Sequence, residues 1–513
     1  MMLWNRSFIP RASINLPSQC VRTQVRQVST IYALSTHPGK AAVAIVRVSG
    51  PLAPSVFSAL TGLPTAPQPR RAQLVSLYNH QSLLDRALAL YFKAPFSYTG
   101  EDVLELHLHG GQAIVKAVMD TIGRLELSDS SANSGPGRDS KVRYAEAGEF
   151  TRRAFANGRL DLTEVEGIRD MIDAETEFQR QAAVASAGGQ MRELYDKWRD
   201  EIVHQSALLT ALIDFSDDNA DIDGNLFDTV KKNVTQLLQQ IRGHRDQISR
   251  SELLQAGIKL NLLGPPNAGK SSLLNILARR EVAIVSDVAG TTRDVVEVGL
   301  DINGYKVVIG DTAGLRVLES IKVNDDHSKI ELEGMRRARE RFKVGDLVVA
   351  VIPTETTGQG DVVVAPGIKE ELHSLSSQRI IVALNKIDTV DEVTKSEIIE
   401  KYSKALDIPC KDIVPVSCTT GEGVELLVHS LATECQQLTH SSYGPPIGAS
   451  QRIRDLLDND VIGGLEAFLS SDDVVMATSE LQFAIDGIGK ITGRGVGIEE
   501  VLGVVFSSFC IGK

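Results

Sequence analysis

Long apolar runs, patterned cysteines and early acidic residues are what this 513-residue sequence lacks, and each absence narrows its reading. No unbroken apolar stretch reaches the roughly 20 residues a membrane-spanning helix needs. The five cysteines, Cys20, Cys410, Cys418, Cys435 and Cys510, are scattered. They show neither metal-ligand spacing nor a disulfide framework, so a reducing compartment is the simpler inference. No internal repeat is evident. Acidic residues are missing from the first 84 positions, Asp85 being the first. Arg6, Arg11, Arg22, Arg26, Lys40, Arg47, Arg70 and Arg71 precede it, so this stretch contributes +8 to a net charge of −12 and the rest carries −20. Residues 1–30 hold four Arg, no Lys, no acid and several Ser and Thr, the composition of an amphipathic organellar transit peptide. A mitochondrial matrix address follows, with presequence 1–28 removed near Arg26 to Ser29. The acidic body argues against gripping nucleic acid through phosphate contacts alone. Any RNA contact must be local or shared with a partner.

What is there predicts two to four domains, since the chain is too long for one core. Its 42% hydrophobic and 23% charged content is ordinary for a soluble globular protein. Residues 41–49 read as a strand ended by Gly50-Pro51. Val103–His109 alternates apolar and polar at period two, as a half-buried strand does. Gly110-Gly111 ends it, and residues 113–125 read as a helix. Residues 128–140 are low-complexity, a flexible surface insertion. From Glu149 to about Arg250 Gly and Pro become sparse, and Leu160, Leu162, Val165, Ile168, Met171 and Ile172 recur at helical spacing. Residues 258–435 alternate strand and helix signals, with strands expected at 307–310, 347–352, 380–384 and 413–416. Such alternation implies a mostly parallel sheet. Helical character returns after Glu422 and is expected to last to about Phe468. An α/β domain inserted into a helical one accounts for the interruption.

The chain is organised around Gly264-Pro-Pro-Asn-Ala-Gly-Lys-Ser271, which fits G-x-x-x-x-G-K-[ST]. The apolar strand Ile258–Leu263 precedes it and a helix-forming run from Ser272 follows. Strand, glycine loop and helix start are what phosphate binding needs. Gly264 and Gly269 let backbone N–H groups, those of Asn267 and Ala268 among them, close around phosphates. Lys270 supplies a point charge to the β/γ oxygens, and Ser271 offers a hydroxyl to Mg²⁺.

Three further stretches turn this cradle toward GTP. In Asn385-Lys-Ile-Asp388, the Asp388 carboxylate can accept from both N1–H and the N2 amino group of guanine, a donor pair adenine lacks. Lys386 can lie over the base, and Asn385, which opens this motif, follows the apolar strand expected at 380–384. Ser417, Cys418 and Thr419 can support guanine O6 through backbone N–H groups. Asp311, Thr312, Ala313 and Gly314 follow a strand, which puts Asp311 near the Mg²⁺ shell and the Gly314 amide near the γ-phosphate. Each motif alone is weak; four in order, each after a strand, are strong. Between them Ser286, Asp287, Val288, Ala289, Gly290, Thr291 and Thr292, running on to Asp294, form a candidate switch. Thr292 would reach Mg²⁺ only when a γ-phosphate is present. Leu315 stands where small regulatory GTPases place the Gln that orients water. Hydrolysis therefore needs another polar group, a partner, or both.

On these motifs, with Tyr98-Thr-Gly-Glu-Asp-Val-Leu-Glu-Leu-His-Leu-His-Gly-Gly111, Gly148-Glu-Phe-Thr-Arg-Arg-Ala-Phe-Ala-Asn-Gly-Arg-Leu-Asp-Leu162 and the closing Phe509-Cys-Ile-Gly-Lys513, the chain resembles the MnmE (TrmE) family of tRNA-modification GTPases in its mitochondrial form. The resemblance covers nearly everything from Ile31 onward. It implies a multidomain α/β and α protein: an N-terminal α+β domain (29–148) that binds 5-formyltetrahydrofolate or a related one-carbon folate and dimerises, a helical domain (149–250 and 436–513), and a Ras-like P-loop GTPase domain (251–435) inserted in it. The implied activity is GTP hydrolysis coupled to modification of the wobble uridine of certain tRNAs at C5, shared with an MnmG-like FAD protein in a heterotetramer built on the homodimer. Carried over residue by residue, Asn267 and Thr291, with the carbonyls of Ser286 and Val288, would hold K⁺, and Ser271 and Thr292 Mg²⁺. A cation at the first position can do the work of an arginine finger. Glu331 matches the family's water-orienting glutamate, although the preceding stretch is longer than usual and Glu333 stands close by. Arg47, Glu105, Arg159 and Lys513 match the folate positions. Cys510 is either a nucleophile toward uridine C6 or a small buried hydrophobe. A ribosome-assembly GTPase of the same switch class is the alternative function. A third is a scaffold whose GTPase merely drives motion for the flavoprotein.

Overall fold

Strands buried on both faces need contiguous apolar residues, whereas half-buried strands alternate; this chain builds one sheet of each kind. The computed structural model describes residues 29–64, 67–125, 127, 142–215, 220–280, 283–284, 298–309, 345–356, 362–375, 378–390, 394–439, 448, 450–494, 502, 505–506 and 509–512. The expected presequence and the 128–140 insertion lie outside them. They fall into two compact units. The first takes Met1–Arg169, Gly188–Arg199 and Ile485–Lys513; the second takes Asp170–Ala187 and Asp200–Ala484.

The first unit is built on a six-stranded sheet of β1 (Thr30–Leu34), β2 (Val43–Ser49), β3 (Gln73–Asn79), β4 (Ser82–Phe92), β5 (Val103–His109) and β6 (Val142–Tyr144), in the order β3-β4-β5-β2-β1-β6. Only the β1–β6 pairing is parallel. Helices α1 (Ala53–Thr61) and α2 (Gln112–Gly123) supply Val56, Phe57, Leu60, Val118 and Ile122 to a core with Val46, Val48, Leu104, Leu106 and Leu108. The alternate residues Arg47, Glu105 and His107 face the other way and stay partly exposed. Helices α3 (Glu149–Ala156) and α4 (Leu162–Asp173) follow, and Val165 packs with Val505, Phe506 and Phe509 near the chain's end.

In the second unit α5 (Glu177–Ala187), part of α6 (Gln190–Phe215) and α7 (Ala220–Ala256) lead into β7 (Ile258–Leu263) and α8 (Lys270–Arg280). Then come β8 (Ala283–Ile284), β9 (Val298–Ile302), β10 (Tyr305–Ile309), β11 (Leu347–Pro353), α9 (Ile368–Ser374), β12 (Arg379–Asn385), α10 (Lys395–Leu406), β13 (Ile413–Pro415) and α11 (Val424–Thr439). The sheet order is β13-β12-β11-β7-β10-β9-β8, parallel except where β9 joins β10 and β8. Its centre, β11, is buried from Leu347 to Ile352. One face packs on Leu273, Leu277, Leu427 and Leu431, the other on Leu372, Ile398, Tyr402 and Leu406. Each such side chain contributes about 1.5–3 kcal/mol on burial. The strands expected at 258–263, 347–352, 380–384 and 413–416 are present within a residue or so.

Helices α12 (Gln451–Leu456), α13 (Gly463–Ser470) and α14 (Val474–Thr492) close the chain, with a π-helical turn, Leu457–Ile462, between the first two. The helical run therefore extends beyond the expected limit at Phe468. Its last helix buries Ala477, Leu481, Ala484, Ile485, Ile488 and Ile491, a helical repeat partly hidden by glycines 487 and 489. No helix among the described residues is long and apolar enough to cross a membrane.

Candidate functional site

The C-terminal ends of β7, β12 and β13 lie along one edge of the second sheet, so the loops leaving them meet. Gly264 follows β7 so closely beneath β11 that an added Cβ would stand 2.1 Å from the Val351 carbonyl oxygen. At Gly269, φ is +100°, and a Cβ would stand 2.1 Å from Asn385 Nδ2. Both sites are closed to any larger residue. Asn267 also has positive φ, +61°, and is exposed. Lys270 is buried, and its ammonium donates to the carbonyls of Gly264 (2.9 Å) and Pro265 (2.8 Å), so it is held over the loop. Ser271 and Ser272 open α8, where N–H groups and the helix dipole favour an anion.

Asn385 ties the three loops together. Its Nδ2 donates to the Ala268 carbonyl (2.7 Å), and its Oδ1 accepts from the Cys418 N–H (3.1 Å). Its own carbonyl accepts from both the N–H (2.7 Å) and hydroxyl (2.8 Å) of Thr354. Lys386 stands at φ +65° and is exposed, as is Asp388. The expected O6-binding amides are each engaged within the protein. Ser417 N–H donates to Glu422 O (2.9 Å), Cys418 N–H to Asn385, and Thr419 N–H to Ser417 Oγ (3.2 Å). The two longer bonds, those of Cys418 and Thr419, are the ones a guanine O6 would draw on. Burial pushes the Cys418 thiol pKa up, with the Asp388 charge in the same direction and the Asn385 hydrogen bond opposing, so Cys418 sits beside the site as a neutral thiol.

Thr354 was not anticipated from the sequence; its only signal is its position just past an apolar strand. The candidate switch 286–294, with Ser286, Asp287, Val288, Ala289, Gly290, Thr291 and Thr292, lies outside the described residues. So do Asp311, Thr312, Ala313, Gly314, Leu315, Glu331 and Glu333. Of the expected Mg²⁺ and K⁺ ligands, Asn267 stands on the loop that the glycines leave open as a cradle, and Ser271 stands in the first turn of α8 beside it. That fits a phosphate-bound cation.

In the first unit a second set converges. The β2–β5 register puts Arg47 opposite Glu105, and Arg47 Nε and Nη2 both reach Glu105 Oε1 at 2.9 Å. The guanidinium lies over the rings of Tyr98 (5.3 Å) and Phe150 (5.7 Å). Burial raises the Tyr98 phenol pKa, against the Thr151 hydrogen bond and the Arg47 charge. Arg159 follows α3, its Cγ 3.3 Å from where a Cβ on Gly100 would stand, two residues from Tyr98. Lys513 lies outside the described residues. Its neighbour Gly512 offers its carbonyl to the Ser35 hydroxyl (2.9 Å), and Ser35 N–H donates to Ile45 O (2.7 Å), one strand from Arg47's neighbours. Cys510 is exposed, not the small buried hydrophobe of one expectation. Its carbonyl accepts from Gly148 N–H at 3.5 Å. No motif marks His107, whose Nε2 is buried without a hydrogen-bond partner, 3.9 Å from Glu105 Oε2.

Comparison with known proteins covers the whole of this arrangement. The family described as the MnmE helical domain matches residues 162–510, and that described as the GTP-binding protein TrmE N-terminus matches residues 30–159. The mitochondrial tRNA modification GTPase MSS1 of Saccharomyces cerevisiae is 42% identical over 100% of this chain and 98% of its own. Its Schizosaccharomyces pombe namesake is 38% identical over 100% of both chains. The tRNA modification GTPase MnmE of Parvibaculum lavamentivorans is 40% identical over 95% of this chain and 100% of its own.

Proposed function

The chain belongs to the MnmE (TrmE) family and is a tRNA modification GTPase, and from that premise we propose that it hydrolyses GTP to drive modification of mitochondrial tRNA at C5 of the wobble uridine, together with an MnmG-like FAD protein. The observation that carries the nucleotide part is Asn385, which fastens the phosphate loop to both base-side loops. Phosphates lie against the N–H groups of the loop 264–270, with Lys270 turning from its carbonyl partners toward the β/γ oxygens. Asp388 reads guanine, and Lys386 covers it. Ser271 and Thr292 hold Mg²⁺, and Asn267, Thr291 and the carbonyls of Ser286 and Val288 hold K⁺. Both cations, when bound, neutralise charge that develops on the transferring phosphoryl group. Glu331 orients the attacking water in place of a residue at Leu315, with Asp311 and Gly314 at the metal and γ-phosphate. Residues 29–148 form the folate and dimerisation domain, 149–250 and 436–513 the helical domain, and 251–435 the GTPase domain.

Arg47, Glu105, Arg159 and Lys513 bind a one-carbon folate, since cations suit its glutamyl carboxylates and a carboxylate suits the pterin's paired donors. Cys510, exposed at the chain's end, is available to a uridine ring. The arginine-rich, acid-free first 28 residues and the mitochondrial relatives support import into the matrix. The relatives are named for tRNA modification, not ribosome assembly, which sets that alternative aside.

The test is quantification of modified wobble uridine in mitochondrial tRNA from a null strain carrying wild type, Asp311→Ala or Cys510→Ser. Loss in the null and in Asp311→Ala is expected. Unchanged modification in the null refutes the tRNA assignment. Full modification with Asp311→Ala refutes a need for GTP hydrolysis, and full modification with Cys510→Ser leaves the chain as a GTP-driven scaffold for the flavoprotein. GTPase rates equal in K⁺ and Na⁺ would remove the K⁺ site.

A further inference from the structure

The β9–β10 hairpin separates residues 286–294 from residues 311–314 in the chain, so its two strands are tethered to both nucleotide-sensing segments. Its turn is tight: Asn303 and Gly304 have φ of +49° and +91°, and Gly304 N–H donates to Asp301 Oδ1 (2.7 Å). This turn is held from outside the sheet by the start of α5. Phe178 stacks on Tyr305, with ring centroids 4.4 Å apart and planes 25° from parallel. Phe178 N–H donates to the Gly304 carbonyl (3.3 Å), and Lys306 Nζ meets Glu175 at 2.5 Å. A Cβ on Gly304 would stand 3.0 Å from the Phe178 ring, so the approach needs glycine. Tyr305 is buried, and its hydroxyl bonds Thr439 at the end of α11.

Helix α5 is itself fixed to the last turn of α7, which leads into the strand before the phosphate loop. Gln179 Oε1 accepts from the N–H groups of Glu175 (2.9 Å) and Thr176 (3.1 Å). Its Nε2 donates to the carbonyls of Leu254 (3.0 Å) and Gln255 (3.2 Å), just ahead of β7. Ala182 joins the core under the sheet. The segment Asp170–Ala187 is a single excursion into this unit. The chain before Asp170 and after Ala187 belongs to the unit that carries Arg47, Glu105 and Cys510. The hairpin therefore bonds a helical segment whose chain continues, on both sides, into the other unit.

We propose that the Phe178–Tyr305 stack, with the Phe178–Gly304 hydrogen bond and the Glu175–Lys306 pair, is the latch that passes nucleotide-dependent movement of the β9–β10 hairpin to the folate-site unit. It rests on the reading of residues 286–294 as a nucleotide sensor. Coupling of this kind requires an element whose two positions both sites bias. The hairpin and α5, locked by an apolar stack and an ion pair, are that element. Phe178, Glu175 and Lys306 are positioning residues, and none belongs to the GTP site.

The test is hydrogen exchange of the full chain with Mg²⁺ and K⁺, in GDP and in GDP plus aluminium fluoride, read at residues 298–309, 98–111 and 148–159, alongside single-turnover GTP hydrolysis. Wild type is expected to change exchange in all three regions. Phe178→Ala keeps hydrolysis within about twofold while its response at 98–111 and 148–159 falls at least about fivefold, the low end of ordinary coupling. Glu175→Lys and Lys306→Glu each weaken the response, and the double reversal restores it, which keeps the idea testable if Phe178→Ala fails to fold. Responses that persist in the single variants overturn the latch. So does hydrolysis that falls in step, or a double reversal that restores nothing. A wild-type hairpin that ignores the nucleotide sinks the sensor reading and the latch together; a hairpin that responds while 98–111 and 148–159 do not sinks the latch alone.

Discussion

Asn385 offers the sharpest test of how this nucleotide site is held. It is 3% exposed, and truncation to Ala leaves the Ala268 carbonyl and the Cys418 N–H without their partner. An abandoned buried polar group costs about 1–3 kcal/mol, so the two together cost about 2–6 kcal/mol. Water offsets part of this, because the vacated space lies against the glycine loop. A net loss of about 3 kcal/mol is expected, and if the phosphate loop carries it the affinity for GTP drops roughly 100-fold. Fluorescent GTP titration of the full chain measures that, with a thermal melt for stability. Asn385→Asp separates geometry from chemistry. Its carboxylate still accepts from Cys418 but opposes the Ala268 oxygen where an amide donated at 2.7 Å. It should bind at least as weakly as Asn385→Ala at pH 7. Affinity within about threefold of wild type for Asn385→Ala, or tighter binding by Asn385→Asp than by Asn385→Ala, refutes the claim that this side chain couples the loops.

Two predictions concern pH and charge. Burial alone lowers the His244 imidazole to about 4, so the folded chain resists a proton that the unfolded chain takes up near pH 6.5. Its contribution is intact above about pH 6.5 and is lost as pH falls toward 4, by roughly 3 kcal/mol at the lower end. Urea midpoints over that range should flatten in His244→Gln; an unchanged slope rules out this residue as the source. In the first unit, burial pushes the Glu149 carboxyl up, but hydrogen bonds from Arg143, the Glu146 N–H and Arg153 outweigh it and hold it below the usual carboxylate range. That stability is present above about pH 4.5 and is lost as pH falls through the depressed value. Glu149→Gln should lower stability at pH 7 by about 2 kcal/mol and by much less at pH 3, as read by thermal melts at both. An equal loss at both pH values would contradict the charge assignment.

Much of the second unit was legible in the sequence because a parallel strand buried on both faces must be an unbroken apolar run. Leu347–Ile352 and Ile380–Leu384 are such runs, the second ending at the Asn385 motif, while Ile258–Leu263, at the phosphate loop, is broken by Lys259 and Asn261. The first unit was harder. The β3–β4 hairpin was not anticipated because its turn uses His80, at φ +53°, where Asn-Gly or Asp-Gly would have announced it. Asn303-Gly304 does carry that signature, yet without its partner strand β9 only the later half was foreseen. Helix α5 was legible as a helix, but nothing in its local pattern says that Phe178 meets Tyr305, 127 positions away in a different layer of the fold.

The candidate sites divide along the same physical line. A phosphate loop is local: its glycines, lysine and hydroxyl occupy eight consecutive positions, so spacing alone constrains the geometry. Arg47 and Glu105 meet only through the β2–β5 register, and that register changes what each can do. Two of the three guanidinium nitrogens, Nε and Nη2, are spent on Glu105 Oε1, leaving Oε2 toward His107. If Glu105 reads a pterin's donors, Oε2 is the oxygen left to accept them, and Arg47 fixes the carboxylate while stacked over Tyr98 and Phe150. To grip a ligand carboxylate instead, Arg47 would have to abandon a bonded, half-buried anion. Arg159, the other described cation of this set, stands beside the Tyr98–Gly100 turn, its Cγ 3.3 Å from where a Cβ on Gly100 would stand.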